Sequence, residues 1–225
     1  MRAEYMGRWL FDDEGLRPGY LRVSGDTVEE VCDGRSPAGA VRALVLPALV
    51  NAHTHIGDSF AYPAPSGTVE EIVGPPDGYK HRALRESSGP AKVDGMRDAV
   101  ALIARTGTSA FIDFREEGVR GLREISESMS GSPIRGVMLG RPTRWEDPLP
   151  EASQVLEACD GFGLSAARDS DMNVLADLSA MARASGKAFA LHASECVRED
   201  IDAILDLRPS FLVHMSSAES SDLRR

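Results

Sequence analysis

From residue 44 onward, short apolar runs alternate with amphipathic stretches, and this alternation limits the fold more than any other feature of the chain. The runs are ALVLPALVNAH, TSAFIDFRE, IRGVMLGRP, GFGLSAARD, KAFALHASE and SFLVHMSS. Between them lie VDGMRDAVALIARTG, GVRGLREISESMSG, LPEASQVLEACD, DMNVLADLSAMARASG and VREDIDAILDLRP. In the first of these, Met96, Val100, Ile103 and Ala104 fall on one helical face, and Gly107 stands where a helix stop is expected. Near-continuous apolar strands separated by helices belong to a parallel sheet buried on both faces and joined by right-handed crossovers. The expectation is an α/β fold with six βα units. Residues 56 to about 92, rich in Pro and Gly, interrupt the pattern and are expected to form a long loop of the functional or disordered kind.

Residues 1–43 follow a different rule. GYLRVSG and TVEEVCDG alternate at period two and flank a turn at Gly25-Asp26, which predicts a small antiparallel sheet with little core of its own. The expected organisation is therefore a small β-sheet over 1–43 and an α/β barrel or sheet over 44–225. The formal charge of −10 argues against non-specific nucleic-acid binding, which needs clustered Lys and Arg. No apolar run approaches the roughly 20 residues of a membrane span. The opening MRAEYMGRWLFDDEG lacks the apolar core of a signal peptide. Three cysteines, Cys32, Cys159 and Cys196, are odd in number and show no CxxC spacing, as expected of reduced thiols in a cytoplasmic protein. One motif misleads: GFGLSA at 161–166 fits a dinucleotide fingerprint on paper, yet it begins a strand instead of following one.

The chemistry lies in the histidines. His53 and His55 close the first run with one residue between them, so in a strand they project from the same face, where two imidazoles can share a metal ion. A hydrogen-bonded core pair is the competing interpretation. His192 ends KAFALH and His214 ends SFLVH, which puts four of the five histidines at C-terminal strand ends. That edge is where parallel barrels and open parallel sheets gather ligands and catalytic groups, and it favours the metal.

With these residues in view, the chain resembles the amidohydrolase superfamily. LVLPALVNAHTH is similar to that family's first barrel strand, LHASE to its fifth-strand HxxE motif, and FLVHMSS to its sixth-strand histidine. The resemblance implies a TIM-type (β/α)8 barrel of the metal-dependent hydrolases, preceded by part of a small β-sandwich. Neither GFGLSAARD nor IRGVMLGRP offers a lysine to bridge two metals, which points to the mononuclear branch of cytosine, guanine and S-adenosylhomocysteine deaminases and triazine hydrolases. Carried over, His53, His55 and His192 hold one divalent ion, Zn2+ or otherwise Fe2+ or Mn2+, with Glu195 and His214 as catalytic groups. The implied activity is deaminase-like hydrolysis of a non-peptide C–N bond in a small molecule bearing an amino or amide-like group. Lys80 and His81 on the long loop, and Arg115 at the second strand end, are candidate substrate contacts. A supporting ion-pair cluster of Asp113, Arg115 and Glu116 is the alternative for the last.

The family pattern is incomplete in this chain. A (β/α)8 barrel takes about 250 residues, and here strands seven and eight, with an aspartate ligand, are not found after SSAESSDLRR. The expectation is an amidohydrolase truncated after strand six, or else a catalytically incomplete, non-enzymatic chain completed by a partner. Six strands leave a barrel edge unpaired, so association into a homo-oligomer is open. A TatD-like metal nuclease also begins with HxH, but at the extreme N-terminus, and the preceding sheet and negative charge count against it.

Overall fold

The computed structural model describes residues 4–63, 65–144 and 147–225. It resolves two compact units, Met1–Leu49 and Val50–Arg225.

In the first unit, β3 (Gly15–Ser24) pairs with three other strands, β1 (Glu4–Met6), β2 (Trp9–Asp12) and β4 (Thr27–Asp33), all antiparallel. The β3–β4 hairpin turns at Gly25-Asp26, and Gly25 adopts the left-handed conformation (φ 63°) that such two-residue turns require. The first apolar run does not form one strand. It breaks at Leu46-Pro47-Ala48 into β5 (Leu44–Val45), which lies parallel to β2, and β6 (Leu49–Thr54). Pro47 has no N–H to donate to a ladder, which suits the break.

The second unit carries six strands in the order β11-β10-β9-β8-β7-β6, a nearly closed barrel wall in which sequence neighbours are spatial neighbours. They are β6, β7 (Thr108–Arg115), β8 (Arg135–Gly140), β9 (Gly161–Ala166), β10 (Ala188–Ala193) and β11 (Phe211–His214), with β7–β8, β8–β9, β9–β10 and β10–β11 parallel. The crossovers carry α3 (Gly89–Arg105), α4 (Gly118–Ser128), α5 (Leu149–Glu157), α6 (Met172–Ala184) and α7 (Ile201–Asp206). Ser88, Asp171 and Asp200 cap α3, α6 and α7 by accepting from backbone N–H groups of the first turn. Gly107, at φ 82°, stands two residues past the end of α3. The segment expected as a loop is partly helical: a 3₁₀ turn over Ile56–Ala61, then α1 (Val69–Val73) and α2 (Tyr79–Glu86). α1 has a full capping box between Thr68 and Glu71, a local signal that Pro and Gly content obscured.

Alternation along the strands divides two cores. Phe162, Leu164, Phe189 and Leu191 pack outward against the helices, in one cluster with Val155, Leu175 and Ile204. Phe114, Leu139, Ala190 and Val213 pack together on the inner side. GFGLSA is β9, with all six residues buried, and its glycines serve packing: a Cβ at Gly163 would stand 2.7 Å from both Phe114 and Leu139. The edge strand β6 departs from the expected burial, with Leu49 and Val50 at 55% and 63% exposure, because its described neighbours lie on one side only.

Candidate active site

β6 ends at Thr54 with His55 just past it, and pleating sends the imidazoles of His53 and His55 one way and Thr54 the other. The Thr54 hydroxyl lies 2.9 Å from both Ile112 O and Asp113 Oδ1, and Asp113 Oδ1 also accepts from the Ile56 N–H at 2.6 Å. This pins the chain to β7 immediately past the HxH pair. His192 arrives from β10, in step with Ala190 of the inner core. The three Nε2 atoms then stand 3.1 Å (His53–His55), 3.2 Å (His53–His192) and 3.1 Å (His55–His192) apart. Phe114 forms the floor, with ring centroids 5.1 Å from His53 and 4.8 Å from His192.

The donor set fits a metal. His192 Nδ1 lies 2.7 Å from Leu164 O; a carbonyl only accepts, so Nδ1 carries the proton and Nε2 keeps its lone pair. Burial pushes the His192 imidazolium down to about 2 and that of His53 down to about 4, with His55 adding to both, so these rings are neutral near pH 7. Nitrogens bonded at about 2.0–2.1 Å to a tetrahedral ion stand about 3.3–3.4 Å apart, close to the spacing here. The cluster is thus a candidate divalent-metal site, and it is the one such histidine, cysteine and carboxylate group found among the described residues.

His214 stands beside it, its ring centroid 4.8 Å from His53, and Glu195 Oε2 lies 3.6 Å from His214 Nε2. The backbone here is unusual: Ser194, His214 and Met215 take left-handed φ of 47°, 72° and 57° just past or at the ends of β10 and β11. Non-glycine residues in that region cost energy and cluster at functional sites.

Among the candidate substrate contacts, Lys80 and His81 on α2 line the cavity over the histidines. Lys80 is also tied down, 2.5 Å from Glu116 Oε1 and 3.6 Å from Asp58 Oδ2. His81 Nε2 lies 3.1 Å from Val73 O. Arg115 does not line the cavity. Its guanidinium is 1% exposed, packed beneath Gly57 and held at 2.9 Å by Glu116, so its position is that of an ion-pair support. Sequence patterns did not single out Arg141, Asp58 or Asp169, which also face the cavity. Arg141 is buried at the end of β8, where an Arg in a strand-end GRP tripeptide was the available signal. Burial lowers the Arg141 guanidinium and raises the Asp169 carboxyl.

The architecture is thus a parallel barrel wall with imidazoles gathered at its C-terminal strand ends. No protein-family model matches the chain. It is 39% identical to a protein of Archaeoglobus fulgidus named "Putative aminohydrolase", over 84% of this chain and 54% of that protein. A protein of the same name from Methanothermobacter thermautotrophicus is 31% identical over 91% of this chain and 59% of its own length. Among solved structures, N-isopropylammelide isopropylaminohydrolase of Burkholderia multivorans aligns with TM-score 0.65 at 18% identity, covering 92% of this chain and 56% of that one. An adenosine deaminase of Xanthomonas campestris, solved with bound zinc, aligns with TM-score 0.65 at 15% identity, over 90% and 51% of the two chains. The chain is thus similar to proteins named aminohydrolases and shares its fold with amidohydrolase-type barrels among solved structures. It spans little more than half the length of these curated relatives.

Proposed function

We propose that the chain supplies the metal-binding face of a mononuclear amidohydrolase that hydrolyses a non-peptide C–N bond in a small molecule, in the manner of a deaminase. The convergence of three Nε2 atoms within 3.2 Å carries this proposal. The aminohydrolase names of the relatives and the zinc bound in one structural neighbour support it. His53, His55 and His192 are the proposed ligands, and zinc is the proposed ion.

Bound there, a divalent ion would supply Lewis acidity, bringing the pKa of a coordinated water from about 15.7 to near 7. The chain's own residues do the rest. Glu195 faces the same cavity, where its carboxylate takes a proton from the attacking water and returns it to the departing nitrogen. His214, beside Glu195 and His53, donates to the oxygen as charge builds on it. Phe114 and the buried strand ends keep bulk water from the floor of the site, which strengthens each of these interactions.

The test is elemental analysis of the purified 225-residue protein and two variants. Near one equivalent of metal is expected in the wild type and in Glu195→Gln, and none in His192→Ala. Glu195→Gln is further expected to lose turnover in a deaminase substrate screen. Full metal content in His192→Ala would overturn the ligand assignment.

A further inference from the structure

A buried charge cluster lies beneath His55, and its geometry bears on which nitrogen of that ring carries the proton. Glu116, just past β7 and 5% exposed, has a cation beside each carboxylate oxygen. Its Oε2 takes the Arg115 guanidinium at 2.9 Å, while its Oε1 lies 2.5 Å from Lys80 Nζ and 3.3 Å from His55 Nδ1. Lys80 Nζ is itself 3.1 Å from His55 Nδ1.

These two neighbours make opposite demands on one imidazole. A carboxylate only accepts, so it calls for a proton on Nδ1 and leaves the Nε2 lone pair free. An ammonium only donates, so it calls for a bare Nδ1, and a neutral ring then carries its proton on Nε2. That proton would point at the Nε2 atoms of His53 and His192, 3.1 Å away, and exclude ligation.

The 3.1 Å Lys80 approach has hydrogen-bond geometry and the 3.3 Å Glu116 approach is an ion-pair distance, but two observations favour the carboxylate. The ammonium's shorter contact is to the carboxylate, at 2.5 Å against 3.1 Å to the ring. The facing ring, His192, is already held in the Nδ1–H form by Leu164 O, so an Nδ1–H acceptor behind a converging Nε2 occurs twice in one site.

We infer that Glu116 is a positioning residue that fixes His55 as its Nδ1–H tautomer and aims its Nε2 at the metal position, while Lys80 from α2 anchors the carboxylate. This rests on the proposed metal site, but the tautomer can be read without metal.

The experiment is long-range proton–nitrogen NMR of the metal-free full chain, with the His55 signals assigned from a His55→Asn variant. Zinc affinity of wild type, Glu116→Gln and Glu116→Asp is then measured by competition with a chelator. Wild-type His55 is expected in the Nδ1–H form. Glu116→Gln is expected to lose that form and to bind zinc 10- to 100-fold more weakly, with the His192 tautomer and the far-ultraviolet circular dichroism unchanged. Glu116→Asp is expected to recover part of the affinity. His55 found as Nε2–H in the wild type overturns the inference, and so does a folded Glu116→Gln variant with wild-type zinc affinity. If Glu116→Gln does not fold, the wild-type spectrum still decides. If the wild type takes up no zinc, it is the metal proposal that fails, and the tautomer is judged by the spectrum alone.

Discussion

The two units of this chain are both built on hydrogen-bonded ladders but have very different interiors. In Met1–Leu49, β3 is paired with three other strands, yet Leu10 is the one large hydrophobe buried among the described residues. Trp9, Phe11, Leu16, Val28 and Val31 are between 43% and 62% exposed. In Val50–Arg225, three apolar clusters line both sides of the strands, and Phe111, Phe114, Phe162 and Leu164 are fully buried. Ladders set register and shape in both units. Resistance to opening follows removal of apolar surface from water, worth roughly 25 cal/mol per Å², so the first unit is expected to open far more readily than the second.

The largest effect that would test this contrast is Phe162→Ala. Removing a fully buried ring from β9 is expected to cost about 3–5 kcal/mol in urea unfolding of the barrel unit. A loss under about 1 kcal/mol would show that the outer core is loosely packed after all. Leu10→Ala comes next, with about 2 kcal/mol or more expected from the one anchored side chain of the small sheet. Hydrogen exchange should read this as faster exchange at the β3 and β4 amides, and unchanged rates there would deny Leu10 its role.

A pH series is expected to have a smaller effect, and it concerns the barrel alone. His53 and His192 bind protons less readily when folded than when unfolded, so the unfolded chain gains protons first as the solution is acidified. Stability of the metal-free protein is therefore expected to be full above about pH 6.5 and to decline as pH falls toward 4. The melting temperature followed over that range checks the sign, and a His53→Asn variant should flatten the slope. The smallest change expected is from Leu16→Ser, at 62% exposure, which should stay within about 0.5 kcal/mol.

Much of this was legible in the residues themselves. Strand and helix periods differ, so the six apolar runs announced their strands, and histidine placement at the ends of those runs marked the candidate site. What stayed hidden depended on distance in space, not on pattern. Nothing local marks β6 as an edge strand, since its exposure reflects which neighbours it has. The helix carrying Lys80 sits in a Pro- and Gly-rich segment where composition argues for loop. Arg115 stood in the sequence as either a substrate contact or an ion-pair support with Glu116, and only the fold shows that the two charges meet out of water. Arg141 lies 26 residues beyond Arg115 in the chain, yet its N–H donates to Arg115 O on the neighbouring strand end.

Gly163 has a consequence for how such a site can evolve. Phe114 rests directly on the bare α-carbon of that residue, and the His53 and His192 rings rest on Phe114. The height of the imidazoles above the barrel floor is therefore gauged by a residue without a side chain. One added methyl at 163 would lift the aromatic ring like a shim and misalign two of the three nitrogens together. Drift at this position is silent in charge and in hydrogen bonding, but it would be felt first at the histidine cluster.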